Sequence, residues 1–261
     1  DRCSVVCSSD LMLGSTGYGN HGPHASHVTW GPNIESLSGL STLSGFPHRD
    51  CTMTHFAYPD PLCALHGLFA LMCALEHRAK GGGGQYIDLS QQETATTYIT
   101  DQILEHTVGG RVPQRMGNRD RRMAPHGFYR CRGEDSWVAI AVRSDSEWER
   151  LCEVMGRPEL ASDVHFATAE DRLQHAEKLD SIVQSWTLNR DSTKTAEVLQ
   201  AQKIPSSAVM KALEVPENPQ HKARGFFDTV DHPATGPRPE ERRAGKECRA
   251  RRSPDPHRTN P

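Results

Sequence analysis

The stretch Tyr58-Pro59-Asp60-Pro61-Leu62-Cys63-Ala64-Leu65-His66-Gly67-Leu68-Phe69-Ala70-Leu71-Met72-Cys73-Ala74-Leu75-Glu76-His77-Arg78 decides how this chain folds. Aspartate followed by proline reads as a helix start. An N-cap carboxylate accepts a free backbone N–H, and proline at the first helical position gives up a donor that has no partner there anyway. Arg78, Lys80 and Gly81 read as the stop, because cations suit the negative end of the helix and glycine leaves it easily. The pattern predicts a helix over 61–80. Its apolar run, Leu62 to Leu75, is broken by His66 and Gly67 and falls short of the ~20 residues that span a bilayer, so a buried helix is expected and no membrane partner. A carboxylate at Asp60 faces unpaired N–H groups and the positive end of the dipole, which favours its charged form. Two readings stay open at this point: a cap and nothing more, or a nucleophile or base.

Working outward, Gly81-Gly82-Gly83-Gly84 links this helix to Gln85-Tyr86-Ile87-Asp88-Leu89-Ser90, which reads as a strand, so helix, tight link and strand form an α/β unit. A helix over 91–108 follows, with Ile99, Ile103 and Leu104 on its apolar side. Upstream, Ser4–Cys7 and Leu11–Leu13 are short strand candidates, and Trp30 to Gly39 reads as a short helix of small residues. Between them Gly17-Tyr18-Gly19-Asn20-His21-Gly22 matches G-x-G-x-x-G by letter. Pro23 follows at once and no helix opens, so this is not a dinucleotide fingerprint but a glycine loop that lets backbone approach a ligand. His21, His24 and His27 recur every three residues without a carboxylate or cysteine at ligand spacing, so no metal site is expected.

Downstream, the arginines of 111–122 read as a solvated linker. Residues 126–205 read as a separate small α+β domain: a hairpin through Phe128 and Val138, then a helix capped by Ser144 and stopped by Gly156, then two or three amphipathic helices. The domain plan is 1–110 as part of a large α/β domain carrying Asp60, 111–125 as linker, 126–205 as the small domain, 206–238 as a return to the large one through a strand at 204–209, and 239–261 as a disordered basic tail. With 261 residues, 36% hydrophobic and 24% charged, the chain can bury a real core, and its net charge of −3 argues against a nucleic-acid partner. Eight cysteines without paired spacing fit reduced, buried thiols in a cytoplasmic protein.

No G-x-S-x-G elbow, P-loop, H-E-x-x-H or C-x-x-C pair occurs, which leaves Asp60 beside two glycine-rich segments as the candidate for chemistry. Here the order of several motifs adds what no single one carries. Tyr18-Gly19-Asn20-His21-Gly22-Pro23, Ile34-Glu35-Ser36-Leu37-Ser38-Gly39-Leu40, Ala57-Tyr58-Pro59-Asp60-Pro61 and Gly84-Gln85-Tyr86-Ile87-Asp88-Leu89-Ser90, with Gly117-Asn118-Arg119 and Ala124-Pro125-His126-Gly127 behind them, resemble the class III CoA-transferases, the CaiB/BaiF family. The likeness runs from about residue 5 to about 237. It implies an α/β fold: part of a large CoA-transferase domain, a Rossmann-like remnant, with a smaller inserted α+β domain. It also implies that Asp60 is the catalytic aspartate, passing through a mixed anhydride and an aspartyl-CoA thioester. Trp30, Gly31 and Asn33 then line the active site and Gly17, Tyr18 and Gly19 lie near the coenzyme A. Acyl-CoA and a carboxylic acid are the implied substrates, with no tightly bound cofactor, and an interlocked homodimer is the implied assembly. The resemblance further implies that much of the CoA site lies in a half of the large domain outside this chain, so a fragment or degenerate homologue is expected. The alternatives are proton transfer of the α-methylacyl-CoA racemase type, with Trp30-Gly31 where that branch has a histidine and His27 out of register, and a non-catalytic chain that needs a partner.

Overall fold

The computed structural model describes residues 10–54, 56–232 and 236–241, and the chain divides into two units after His126. The Ser4–Cys7 strand candidate lies outside the described residues.

In the first unit β1 (Leu11–Thr16) and β2 (Gln85–Ser90) pair in parallel, from Leu11 opposite Gln85 to Thr16 opposite Ser90. A parallel pair needs a crossover connection. Here it contains α1 (Gly31–Leu37), α2 (Leu40–Leu43) and α3 (Pro59–Ala79). α3 packs on the pair through a stripe of small residues, Cys63, Gly67 and Ala74. A methyl group on Gly67 would sit 3.1 Å from Leu13 Cδ2 and 3.2 Å from Leu89 Cδ2, so glycine sets how closely helix and sheet approach.

α3 departs from expectation in two ways. It begins at Pro59, with Tyr58 as the cap residue, so Asp60 lies inside the first turn and makes no capping bond. Proline tolerates the first helical position wherever it stands, and of the two prolines the earlier one takes it. Nor is the helix buried all round: Leu65, Leu68, Phe69 and Met72 are exposed on the face away from the sheet. The same geometry exposes Cys73 while Cys63 is buried, so the expectation of buried thiols fails at Cys73, as it does at the exposed Cys51.

The helix expected over 91–108 is two helices, α4 (Gln91–Thr96) and α5 (Thr100–Gly109), joined by a 3₁₀ turn over Thr97–Ile99. The threonines explain the break. The hydroxyls of Thr94, Thr96, Thr97 and Thr100 donate to the carbonyls of Ser90, Gln92, Thr94 and Thr97 in turn, and such back-bonding bends helices.

The second unit holds a three-stranded sheet in the order β3 (His126–Arg130), β4 (Trp137–Ala141), β5 (Ser206–Ala208), flanked by α6 (Asp145–Met155), α7 (Ala169–Gln174), α8 (Ala176–Thr187) and α9 (Ser192–Ala201). Ser144 caps α6 by accepting the Glu147 N–H, and Gly156 ends it at φ 72°. β5, the segment expected to return to the larger domain, instead runs antiparallel to β4, with Val138 opposite Ala208. After a short α10 (Pro219–Arg224), β6 (Phe227–His232) and β7 (Gly236–Glu241) form an antiparallel hairpin. The disordered tail expected from 239 onward therefore does not begin there. Strand pairing needs a partner backbone more than apolar side chains, and Pro239 stands opposite Thr229. Residues 242–261 lie outside the described ones.

Candidate active site

β1 and β2 are parallel, so their carboxyl ends, Thr16 and Ser90, open at one edge, the place where α/β sheets present ligand sites. Three segments converge there: the glycine loop after β1, the first turn of α3, and the start of α4.

Asp60 stands exposed in the first turn of α3, its backbone N–H donating to Ala57 O at 3.0 Å. Gln91 Nε2 donates to Asp60 Oδ1 at 3.0 Å. The other oxygen faces α1: a methyl group on Gly31 would lie 3.3 Å from Asp60 Oδ2 and 2.7 Å from Ala57 Cβ, too close for any side chain there to fit without displacing the 57–60 segment. Trp30, the cap residue of α1, is 78% exposed. Asn33 Oδ1 accepts the Trp30 N–H at 3.2 Å, so this asparagine fixes the start of α1. The buried carboxylate of Glu35 accepts the Thr54 N–H at 2.9 Å and ties the approach to Asp60 to the same helix.

The glycine loop is pinned from β2 and α4. Gly17 O accepts the Gln92 N–H at 3.0 Å, and a methyl group on Gly17 would strike Thr29 Cγ2 at 2.1 Å. Gly19 is buried at φ 82°, a left-handed backbone that favours glycine. The Asp88 carboxylate accepts the Asn20 N–H at 3.0 and 3.1 Å and the Asn20 side-chain amide at 2.8 Å. Tyr18 packs beside His24 and His27, whose Nδ1 atoms are 3.0 Å apart, so one ring is donor and the other acceptor. His21 turns toward Asp88, its Nε2 3.9 Å from Oδ2.

Gly31 thus stands against Asp60, with Trp30 and Asn33 at the same helix start, and Gly17 joins them through α4. Tyr18 and Gly19 belong to the loop side. Sequence reasoning missed Gln91, Gln92 and Asp88. The signal was present, since polar residues at the carboxyl end of a strand in an α/β unit stand where sites form. Chemically, the arrangement offers an exposed carboxylate with one oxygen held by an amide donor, in a helix turn that Gly31 allows to pack closely against α1.

The chain matches the family described as CoA-transferase family III over residues 11–258, so the likeness does not stop near 237 as the motifs alone suggested. It is 29% identical over 226 residues to succinyl-CoA–D-citramalate CoA-transferase of Chloroflexus aurantiacus, covering 87% of this chain and 56% of that protein. It is 32% identical over 202 residues to the β subunit of succinyl-CoA–L-malate CoA-transferase of the same organism, covering 77% and 49%. The chain thus spans about half the length of these curated relatives. A CAIB/BAIF family protein from Brucella suis superposes with a TM-score of 0.78 at 25% identity, over 93% of this chain and 68% of that one.

Proposed function

The chain belongs to CoA-transferase family III, and from that premise we propose that it moves coenzyme A from an acyl-CoA thioester to a carboxylic acid with Asp60 as the nucleophile. The observation that carries this reading is the placing of Asp60 at the strand-end edge, one oxygen held by Gln91 and the other at the Gly31 approach. Asp60 attacks the thioester carbonyl and expels the CoA thiolate, leaving a mixed anhydride. The thiolate attacks Cγ of Asp60, releasing the donor acid and leaving an aspartyl-CoA thioester. The acceptor carboxylate attacks Cγ in turn and expels the thiolate, leaving a second mixed anhydride, and the thiolate then attacks the acceptor's acyl carbon and releases Asp60 as the carboxylate. Exposure of Asp60 is compatible with this sequence, since the carboxylate must be open to two substrates in succession.

Trp30, Gly31 and Asn33 form the wall beside the nucleophile in this proposal, and Gly17, Tyr18 and Gly19 the loop side facing coenzyme A. Both curated relatives above are named for succinyl-CoA as donor, which makes it the first donor to try. No tightly bound cofactor enters the scheme. A homodimer is part of the same proposal, supported by the exposed apolar face of α3, and so is a cytoplasmic location.

The test is trapping with hydroxylamine during turnover of succinyl-CoA with a dicarboxylic acceptor. The Asp60 peptide is expected as its hydroxamate, and Asp60→Ala is expected to lose transfer by on the order of 10⁴- to 10⁶-fold. Transfer that survives Asp60→Ala sinks the assignment.

A further inference from the structure

We propose that Gln91 is a catalytic residue whose side-chain amide stabilises the oxyanion formed each time Cγ of Asp60 is attacked. The proposal rests on Asp60 as nucleophile and adds a group that the motifs did not single out. Gln91 Nε2 lies 3.0 Å from Asp60 Oδ1, while Oδ2 faces Gly31. A carboxylate only accepts, so the amide nitrogen is the atom turned toward it. The two oxygens are therefore unlike: Oδ1 accepts the Gln91 amide, and Oδ2 lies beside the Gly31 backbone.

The donor is also held in place. Gln91 is the first residue of α4, and the buried Ser90 before it is fixed twice, by the Glu93 N–H on its Oγ at 3.3 Å and by the Thr94 hydroxyl on its carbonyl at 2.9 Å. The Gln92 N–H after it is bound to Gly17 O at 3.0 Å. The backbone that carries the amide is anchored on both sides, which is the pre-organisation that oxyanion stabilisation requires.

The charge movements locate where this helps. When Oδ2 attacks the thioester carbon, the Oδ2–C bond forms and the C–S bond breaks, and the transient negative charge sits on the donor's carbonyl oxygen. Oδ1 becomes the carbonyl oxygen of the anhydride. When the thiolate attacks Cγ, the C–S bond forms and the C=O pair moves onto Oδ1. It then returns as the Cγ–Oδ2 bond breaks and Oδ2 leaves within the donor carboxylate. Attack of the acceptor carboxylate on the thioester passes through the same kind of oxyanion on Oδ1 and expels the thiolate. In the resting carboxylate the charge is shared by two oxygens, whereas in these two steps it concentrates on the one Gln91 holds. The amide thus binds the transition state better than the ground state.

Gln91→Met removes the donor and keeps the length. Turnover of succinyl-CoA is expected to fall about 100-fold in kcat, the scale of losing one oxyanion donor, with KM for succinyl-CoA within about twofold. Under hydroxylamine, succinyl hydroxamate, corrected for the reaction without enzyme, is expected to rise relative to the Asp60 hydroxamate, because the anhydride persists when attack at Cγ is slowed. Gln91→Glu, with an acceptor in place of the donor, is expected to lose more than Gln91→Met. A kcat within about threefold of the parent overturns the proposal, as does a loss that leaves the ratio of the two hydroxamates unchanged or activity in Gln91→Glu above that of Gln91→Met. If the parent protein itself gives no Asp60 hydroxamate, the nucleophile reading fails and this proposal with it.

Discussion

The two units of this chain are built on opposite principles. Of the largest fully buried side chains among the described residues, Trp148, Phe166, Ile140, Leu151, Leu179, Leu199 and Ile204 all lie in the second unit, while the first contributes Ile34 and Glu35. Apart from Ile34, what the first unit buries is small or polar, as at Cys63, Ala74, Ala95, Ser38, Ser41, Ser90 and Thr94. Its large apolar residues Leu65, Leu68, Phe69 and Met72 are exposed. The second unit gains stability from apolar volume removed from water. The first spends its interior on close backbone approaches, at Gly17, Gly31 and Gly67, and those approaches shape the edge where Asp60 stands.

The sharpest way to break this contrast is to delete a large side chain from each unit. Trp148 is fully buried, 6.1 Å from Phe166 and beneath the Arg172 guanidinium at 5.7 Å. Trp148→Ala is expected to cost about 3–5 kcal/mol in chemical denaturation. Phe56→Ala, at a first-unit residue 71% exposed and outside α3, is expected to stay within about 0.5 kcal/mol. Equal losses from the two substitutions would erase the distinction.

The next effect appears in activity. A methyl at Gly31 meets Ala57 Cβ at 2.7 Å and Asp60 Oδ2 at 3.3 Å, so Gly31→Ala must shift the 57–60 segment or the start of α1. With Asp60 as the proposed nucleophile, a displacement of that kind is expected to lower kcat by about 100-fold, measured as steady-state transfer from succinyl-CoA, while the protein stays folded. Gly67→Ala, with contacts at 3.1 and 3.2 Å to leucine side chains that can give, is the control and is expected to cost far less activity.

How far the sequence could be read follows the same division. In the second unit, periodic apolar residues with Ser144 and Gly156 as punctuation marked α6 correctly at both ends, because a packed helix announces itself by pattern. In the first, the α3 pattern gave the helix but placed its start two residues late, since two prolines offer two equally acceptable first positions. The threonine break between α4 and α5 went unseen, because the hydroxyl back-bonds that cause it depend on rotamers that letters do not state. Asp60, Gly31 and Gly17 were named as candidates through the resemblance, and the structure brings Gly31 against Asp60. Gln91 was not, because its meaning lies in a contact across 31 positions in the chain. β5 was legible as a strand, but its partner was not, since an isolated Ser-Ser-Ala carries no signal of which sheet it joins.

The smallest expected effect tests the second unit from its polar side. Glu147 is buried in the first turn of α6, where burial by itself would push its carboxyl up. The Arg143 backbone N–H at 2.7 Å, its guanidinium at 3.0 Å and the bond from Ser144 outweigh that and hold it below the usual range. A carboxyl lowered in the folded state binds fewer protons than in the unfolded chain, so it adds stability above its unfolded value of about 4.3. That contribution is lost as pH falls from there through the folded value. Glu147→Gln is therefore expected to lower stability by about 1–2 kcal/mol at neutral pH, the scale of a hydrogen bond to a charged group, with the gap to the parent protein narrowing below about pH 4.3. Denaturation midpoints of both proteins at pH 7 and under acid conditions check it, and a gap that stays constant with pH would mean that packing, not charge, accounts for the role of Glu147.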